Sequence, residues 1–358
     1  MKHKLHKFTH CRALFTAAIF AVITWVFSFS ASLSAQDDAG ESATGTVSSA
    51  VSIVNDLNAL DVLNSVRERL EGLQYLQCNL YEYVHLSDLR FYARGQYAQA
   101  SNNRVRVEFR IFPIRGVRRT DEAPLKLDGE PEDTGKQQPT GELTQVSDGN
   151  ALWTYWKNGD STRLTRRDIQ EILKVAGESE QFDPDHMLAD LGTGGLQSLI
   201  ARLQLGMEFG KVREQTLGNS RLLVVSGRWT AESLKKYFNV EDRTAPRPHW
   251  MPEYVRVYID AEAMLPRRIQ YLKRHPIPEE NKVRPLITLD FLEMTIDDTV
   301  DESRFHFEAP EGELELDETG RTIELIQQAA SQPVAPTSTA PNSVPNQVQD
   351  VDSDKSTQ

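Results

Sequence analysis

Cysteine is almost absent: of 358 residues, only Cys11 and Cys78 carry a thiol. Cys11 precedes an apolar run instead of following it, which excludes the lipid-attachment cysteine of a bacterial lipoprotein signal. Beyond the N-terminal segment Cys78 stands alone, so an intramolecular disulfide and a thiolate metal site are both excluded. Histidine is also scarce. His85, His186, His249, His275 and His306 follow residue 35, and none forms a His-x-His or His-Glu-x-x-His pattern. His186 and Asp190 do fall at i and i+4, yet Asp183, Pro184 and Asp185 read more simply as a helix cap and first turn. No Gly-x-Ser-x-Gly motif occurs. The glycine cluster "LGTGGLQSL" (Leu191 to Leu199) lacks the Lys-Ser/Thr of a phosphate-binding loop and reads as a helix stop and hinge. Acidic pairs such as Glu279-Glu280 and Asp297-Asp298 fall in apparent turns, where solvated charge is expected. No catalytic residue, metal or cofactor is therefore assigned, and the chain reads as a non-enzyme. Positive charge is in deficit as well, with 40 Lys and Arg against 52 Asp and Glu and a net charge of −12, which argues against a nucleic-acid partner.

What is present begins with an export signature. Lys2, Lys4, Lys7 and Arg12 form a basic head without an acid, Ala13 to Phe29 an apolar run, and Ser30 to Ala35 a stretch rich in small residues. Residues 1–35 read as a secretory signal peptide, with an uncleaved inner-membrane anchor as the alternative. Cleavage before Gln36 would remove four positive charges and no negative one, taking the net charge from −12 to −16. Residues 36–50 read as a flexible linker, and 331–358, with four prolines and no Leu, Ile or aromatic residue, as a disordered tail.

Between them, residues 51–330 read as one folded domain. Leu57, Leu60, Val62, Leu63, Val66, Leu70 and Leu73 recur at helical spacing. The period then changes to two. Val105, Val107, Phe109 and Ile111 alternate with Arg104, Arg106, Glu108 and Arg110, and Ile287, Leu289 and Phe291 alternate with Thr288 and Asp290. About ten antiparallel strands are expected. They are interrupted by an acidic surface insertion at 113–141 and by helices over Asp168 to Val175, Pro184 to Leu191 and Leu196 to Leu205. "PRRIQYLKRHP" (Pro266 to Pro276) places Arg268, Gln270 and Arg274 on one strand face, read as solvated. Leu222 and Val224 face opposite to Leu223 and Val225, so either the outer face is also covered or the sheet encloses apolar volume. The fold class is α+β: a strongly curved, half-open antiparallel β-barrel with helices covering its concave face, a closed barrel being the alternative.

In "VSDGNALWTYWKNGDSTRLT" (Val146 to Thr165), Asp148-Gly149 and Asn158-Gly159 are hairpin turns bracketing a strand. On that strand Trp153 and Tyr155 point one way and Leu152, Thr154 and Trp156 the other. This hairpin resembles the "dG-x-x-hW-x-Y" hairpin of the LolA-like periplasmic lipoprotein carriers. "VRVYIDAEAMLPRRIQYLKR" is similar to that family's strand, Asp-turn and "hP-x-x-I" strand, with Asp260 and Pro266 in place. "DESRFHFEAPEGELELD" resembles its closing element through Phe305, Phe307, Pro310 and Gly312.

The resemblance implies a half-barrel whose concave face holds acyl chains. Its partners would be lipid acyl chains or a lipoprotein, with membrane-embedded donor and acceptor proteins, in the periplasm or cell envelope. The expected cavity lining is Val105, Val107, Phe109, Ile111, Ile287, Leu289 and Phe291, with Trp153 or Trp156 near the mouth. The alternative is a non-enzymatic envelope sensor or scaffold that uses the same fold to bind a protein partner. A cavity filled by bulky side chains meeting the helices would favour that second reading.

Overall fold

The computed structural model describes residues 51–53, 57–86, 89–114, 138–178, 187–188, 191–217, 220–238, 240, 247–248, 250–275 and 283–330. The expected signal peptide, linker and tail, most of the 113–141 insertion, and most of the expected 184–191 helix lie outside these residues.

The sheet comprises β1 (Val51–Ile53), β2 (Tyr75–Leu86), β3 (Leu89–Ala100), β4 (Arg104–Pro113), β5 (Gly141–Asp148), β6 (Ala151–Asn158), β7 (Ser161–Asp168), β8 (Met207–Phe209), β9 (Arg213–Leu217), β10 (Ser220–Trp229), β11 (Tyr254–Asp260), β12 (Pro266–Arg274), β13 (Val283–Asp297) and β14 (Glu315–Asp317). The helices are α1 (Ala59–Glu71), α2 (Ile169–Gly177), α3 (Gly195–Gly206), α4 (Ala231–Phe238) and α5 (Thr319–Ala330). The strands run in the order β1-β9-β10-β11-β12-β13-β2-β3-β4-β5-β6-β7-β14, with β8 added beside β10. Every pairing is antiparallel except β14 with β7. Among the described residues the end strands do not pair, so the sheet stays open. Among the described residues fourteen strands replace the expected ten or so, because β1, β8 and β14 are three-residue segments too short to show a period.

Local chemistry explains the element ends. Asn58 caps α1, its side chain accepting from the Leu60 amide at 3.0 Å. Asp148 Oδ1 accepts from the amides of Asn150 and Ala151, both at 2.8 Å, and Gly149 takes φ 95°, so the turn before β6 is built by side chain and glycine together. Asp260 Oδ1 closes the turn before β12 in the same way, accepting from Glu262 and Ala263 at 3.0 Å. These are two of the positions that carry the family resemblance. Phe305, at the third, is buried edge-on against Tyr75 with ring centroids 6.3 Å apart.

Alternation along the strands places one set of side chains on the concave side. There α1 and α3 contribute Leu63, Val66, Leu70, Leu196, Leu199, Ile200 and Leu203 to one continuous core with β2–β5 and β10–β13. A smaller core joins α2, α5 and Leu152 near the β7 end. The outer face departs from expectation. Arg268 and Gln270 are buried, not solvated: Arg268 forms a two-pronged ion pair with Asp290 on β13, and Gln270 reaches Tyr258 and Thr288. Arg274 remains exposed. Leu222, Val224 and Tyr258 form their own buried cluster on that face. Central strands are thus buried on both sides, which resolves the two-faced apolar pattern of β10.

Candidate functional site

The register carries the candidate residues across the sheet. Phe291 pairs with Leu80, Leu80 with Gly95, Gly95 with Phe109, Phe109 with Leu143, and Leu143 with Trp156. One row therefore joins β13 to β6 on the concave side. It can curl because Gly95 has no side chain: a Cβ there would lie 1.5 Å from the Glu108 carbonyl oxygen. Val105, Val107, Phe109 and Ile111, with Ile287, Leu289 and Phe291, all lie in the concave core and are at most 8% exposed. Trp156 is half-buried and packs against the same core. Trp153 is not with them. Three positions separate the two tryptophans, so they take opposite faces. Trp153 stacks on Phe307 at 6.0 Å and donates from Nε1 to Glu315 at 3.1 Å, holding the C-terminal segment to the outer side.

Helix α3 is fastened to this face at its start. The Leu196 amide donates to Tyr97 Oη at 3.1 Å and to Gln99 Oε1 at 3.0 Å, while Tyr97 Oη donates to Gln99 at 2.7 Å. The glycine cluster therefore spends this amide on sheet side chains and works as a helix start. Gly192 and Gly195 at φ 75° and 62° form the bend that α3 leaves from.

Glu82 and Tyr271 add buried polar groups to the apolar surface. Glu82 lies on β2 between the inward-facing Leu80 and Val84, with Ala93 opposite on β3 and Leu289 opposite on β13. It is fully buried, neither carboxyl oxygen has a hydrogen-bond partner among the described residues, and burial pushes its pKa up to about 8. The Tyr271 hydroxyl, on β12, is likewise buried without a partner, and burial raises it, opposed by the charge of Arg202. Cys78, on the same face, is pushed up to about 12 by burial and is an inert thiol at neutral pH. Sequence reasoning missed Glu82 and Tyr271. The available signal was parity: Glu82 is the one acid in the series Leu76, Cys78, Leu80, Glu82, Val84, Leu86.

A groove of about 750 Å³ also crosses β2–β5. Beside members of the row, it is lined by Arg94, Glu108, Arg110, Glu142 and Glu293. Charged side chains disfavour an acyl chain, so this groove suits a polar partner. Among the described residues no three His, Cys, Asp or Glu side chains cluster as metal ligands, and no helix is long and apolar enough to cross a membrane.

No family model matches the chain, and no curated protein matches it. Solved structures that it is similar to include lipoprotein LppX of Mycobacterium tuberculosis, at 10% identity, covering 68% of this chain and 97% of that one with a TM-score of 0.33. Another is MucB in the MucA/MucB complex of Pseudomonas aeruginosa, at 12% identity, covering 70% of this chain and 61% of that one with a TM-score of 0.31. TM-scores this low bear on neither ligand nor partner. A third is a LolA superfamily protein from Nitrosomonas europaea, at 11% identity, covering 69% of this chain and 96% of that one with a TM-score of 0.25, from the superfamily that the hairpin, Asp-turn and closing motifs resemble.

Proposed function

We propose that this chain is an exported, non-enzymatic carrier that holds the acyl chains of a lipid or lipoprotein against its concave face. Helices α1 and α3 would swing aside to admit them, α3 turning on its glycine bend. The observation that carries this reading is the continuous apolar row from β13 to β6, covered by separate helices and not by a second sheet. A strand of eight residues spans about 26 Å, enough to lie along a sixteen-carbon chain. Burying about 15 methylenes at roughly 0.8 kcal/mol each favours binding by about 12 kcal/mol before entropy costs. The basic and apolar pattern of residues 1–35 supports export to the periplasm or envelope, where membrane-embedded donors and acceptors would meet the carrier. The chemistry needs no cofactor.

A second reading has its own support. The concave face is filled by side chains of α1 and α3, and the charged groove offers a polar surface, as an envelope sensor that binds a protein partner would require. One substitution separates the two. Leu289→Gln puts an amide into the concave face. For a carrier, uptake of a fluorescent acyl probe should fall while the thermal transition shows that the protein still folds. Wild-type protein that takes up no acyl probe would leave the sensor reading in its place.

A further inference from the structure

We infer that Glu82 is the polar anchor of the concave face: its carboxyl hydrogen-bonds the ester or amide carbonyl of an acylated ligand and disfavours ligands that bring an ionised group to the same place. The inference rests on the carrier reading and assigns the polar contact within it.

Among the described residues the fold makes no use of this side chain. Glu82 stands on the central strand of the concave face, fully buried, with Leu80 and Val84 along β2 and Ala93 and Leu289 across from it. Neither oxygen has a partner among the described residues. A carboxyl so placed costs the fold free energy that a leucine would not. Burial alone accounts for its raised pKa among the described residues. Ala93, opposite it on β3, is small, and Gly95, opposite Leu80, has no side chain.

The ligand class follows from hydrogen-bond chemistry. A carbonyl oxygen only accepts, so the carboxyl must donate, and donation requires the protonated acid. Burial keeps it protonated up to a pKa of about 8. A carboxylate or phosphate ligand would bring an unpaired charge into the same apolar surroundings, at a large desolvation cost. Esters and amides of acyl chains bring none. Tyr271, with its buried hydroxyl, supplies a second donor on the same face, one residue pair along and across β13.

The test uses the purified protein, its Glu82→Gln and Glu82→Leu variants, and three pyrene probes. These are a diacylglycerol, the same diacylglyceryl group on a short peptide, and a free fatty acid. Wild-type protein should prefer the ester probes to the fatty acid, and whichever ester probe binds tighter identifies free lipid or acylated peptide as the source. Glu82→Gln keeps a neutral donor and should retain the preference. Glu82→Leu should weaken ester binding about tenfold and leave fatty-acid binding unweakened. Melting transitions establish that both variants fold. If Glu82→Leu binds the ester probes as wild type does, or Glu82→Gln loses the preference, the anchor is overturned while the carrier stands. If wild type binds none of the three, the carrier reading falls and the anchor with it.

Discussion

Glu82 enters the core on β2 with an ordinary carboxyl pKa of 4.5 in the open chain and about 8 in the fold. Below pH 4.5 both states are protonated and the group adds no pH dependence. As pH rises from there to about 8, the unfolded chain ionises and the folded protein does not, so stability falls through that window. At about 1.4 kcal/mol per pKa unit the loss reaches up to about 5 kcal/mol. Urea unfolding of Glu82→Gln should therefore show a weaker decline between pH 5 and pH 8 than wild type, and higher stability at pH 8. Superimposable pH profiles would contradict this. Parity along β2 places Glu82 on the apolar side, but residues 75–86 carry tyrosines on the other side too, and two apolar faces hide an acid between them. Parity also separates Trp153 from Trp156. Which of them turns inward was not legible, because it depends on the Leu143–Trp156 pairing across strands.

Strands β11 to β13 show where reading by element fails. Arg268, Gln270 and Arg274 have the spacing of a solvated face, and Arg274 keeps it. Arg268 and Gln270 are buried and bonded to side chains of the neighbouring strands, Asp290 and Thr288 on β13 and Tyr258 on β11, which no pattern within β12 encodes. Asp290 sits in this layer opposite Arg268, where burial raises its pKa and the guanidinium pulls it back. Asp290→Ala would take the paired carboxylate away from a buried guanidinium and should cost about 3–5 kcal/mol in chemical denaturation, whereas Arg274→Ala should stay within about 0.5 kcal/mol. Equal effects would place both arginines in water. By contrast, α1, α3, the hairpin turns and the alternation of β4 and β13 were all legible. Each is set by residues within one element: a cap, a glycine, or a period matched to one buried face.

At the scale of the molecule, a single open sheet curls at Gly95 and lays its apolar row beneath two helices. The curvature class followed from the strand pattern and the motif resemblance. That helices cover the concave face followed from the same resemblance; that α1 and α3 are the helices whose side chains fill it did not, since helix periodicity shows that a face is buried but not against what. A core shared by sheet and helices serves stability in the closed state, and in a carrier the same contacts are exchanged for acyl chains. The most direct measurement is native mass spectrometry of the purified protein, paired with extraction of whatever copurifies and with titration of a stripped sample by an acylated probe. A carrier should yield extractable acyl lipid and, once stripped, a saturable adduct at the mass of the probe. A folded protein that carries no lipid and forms no adduct would contradict the account.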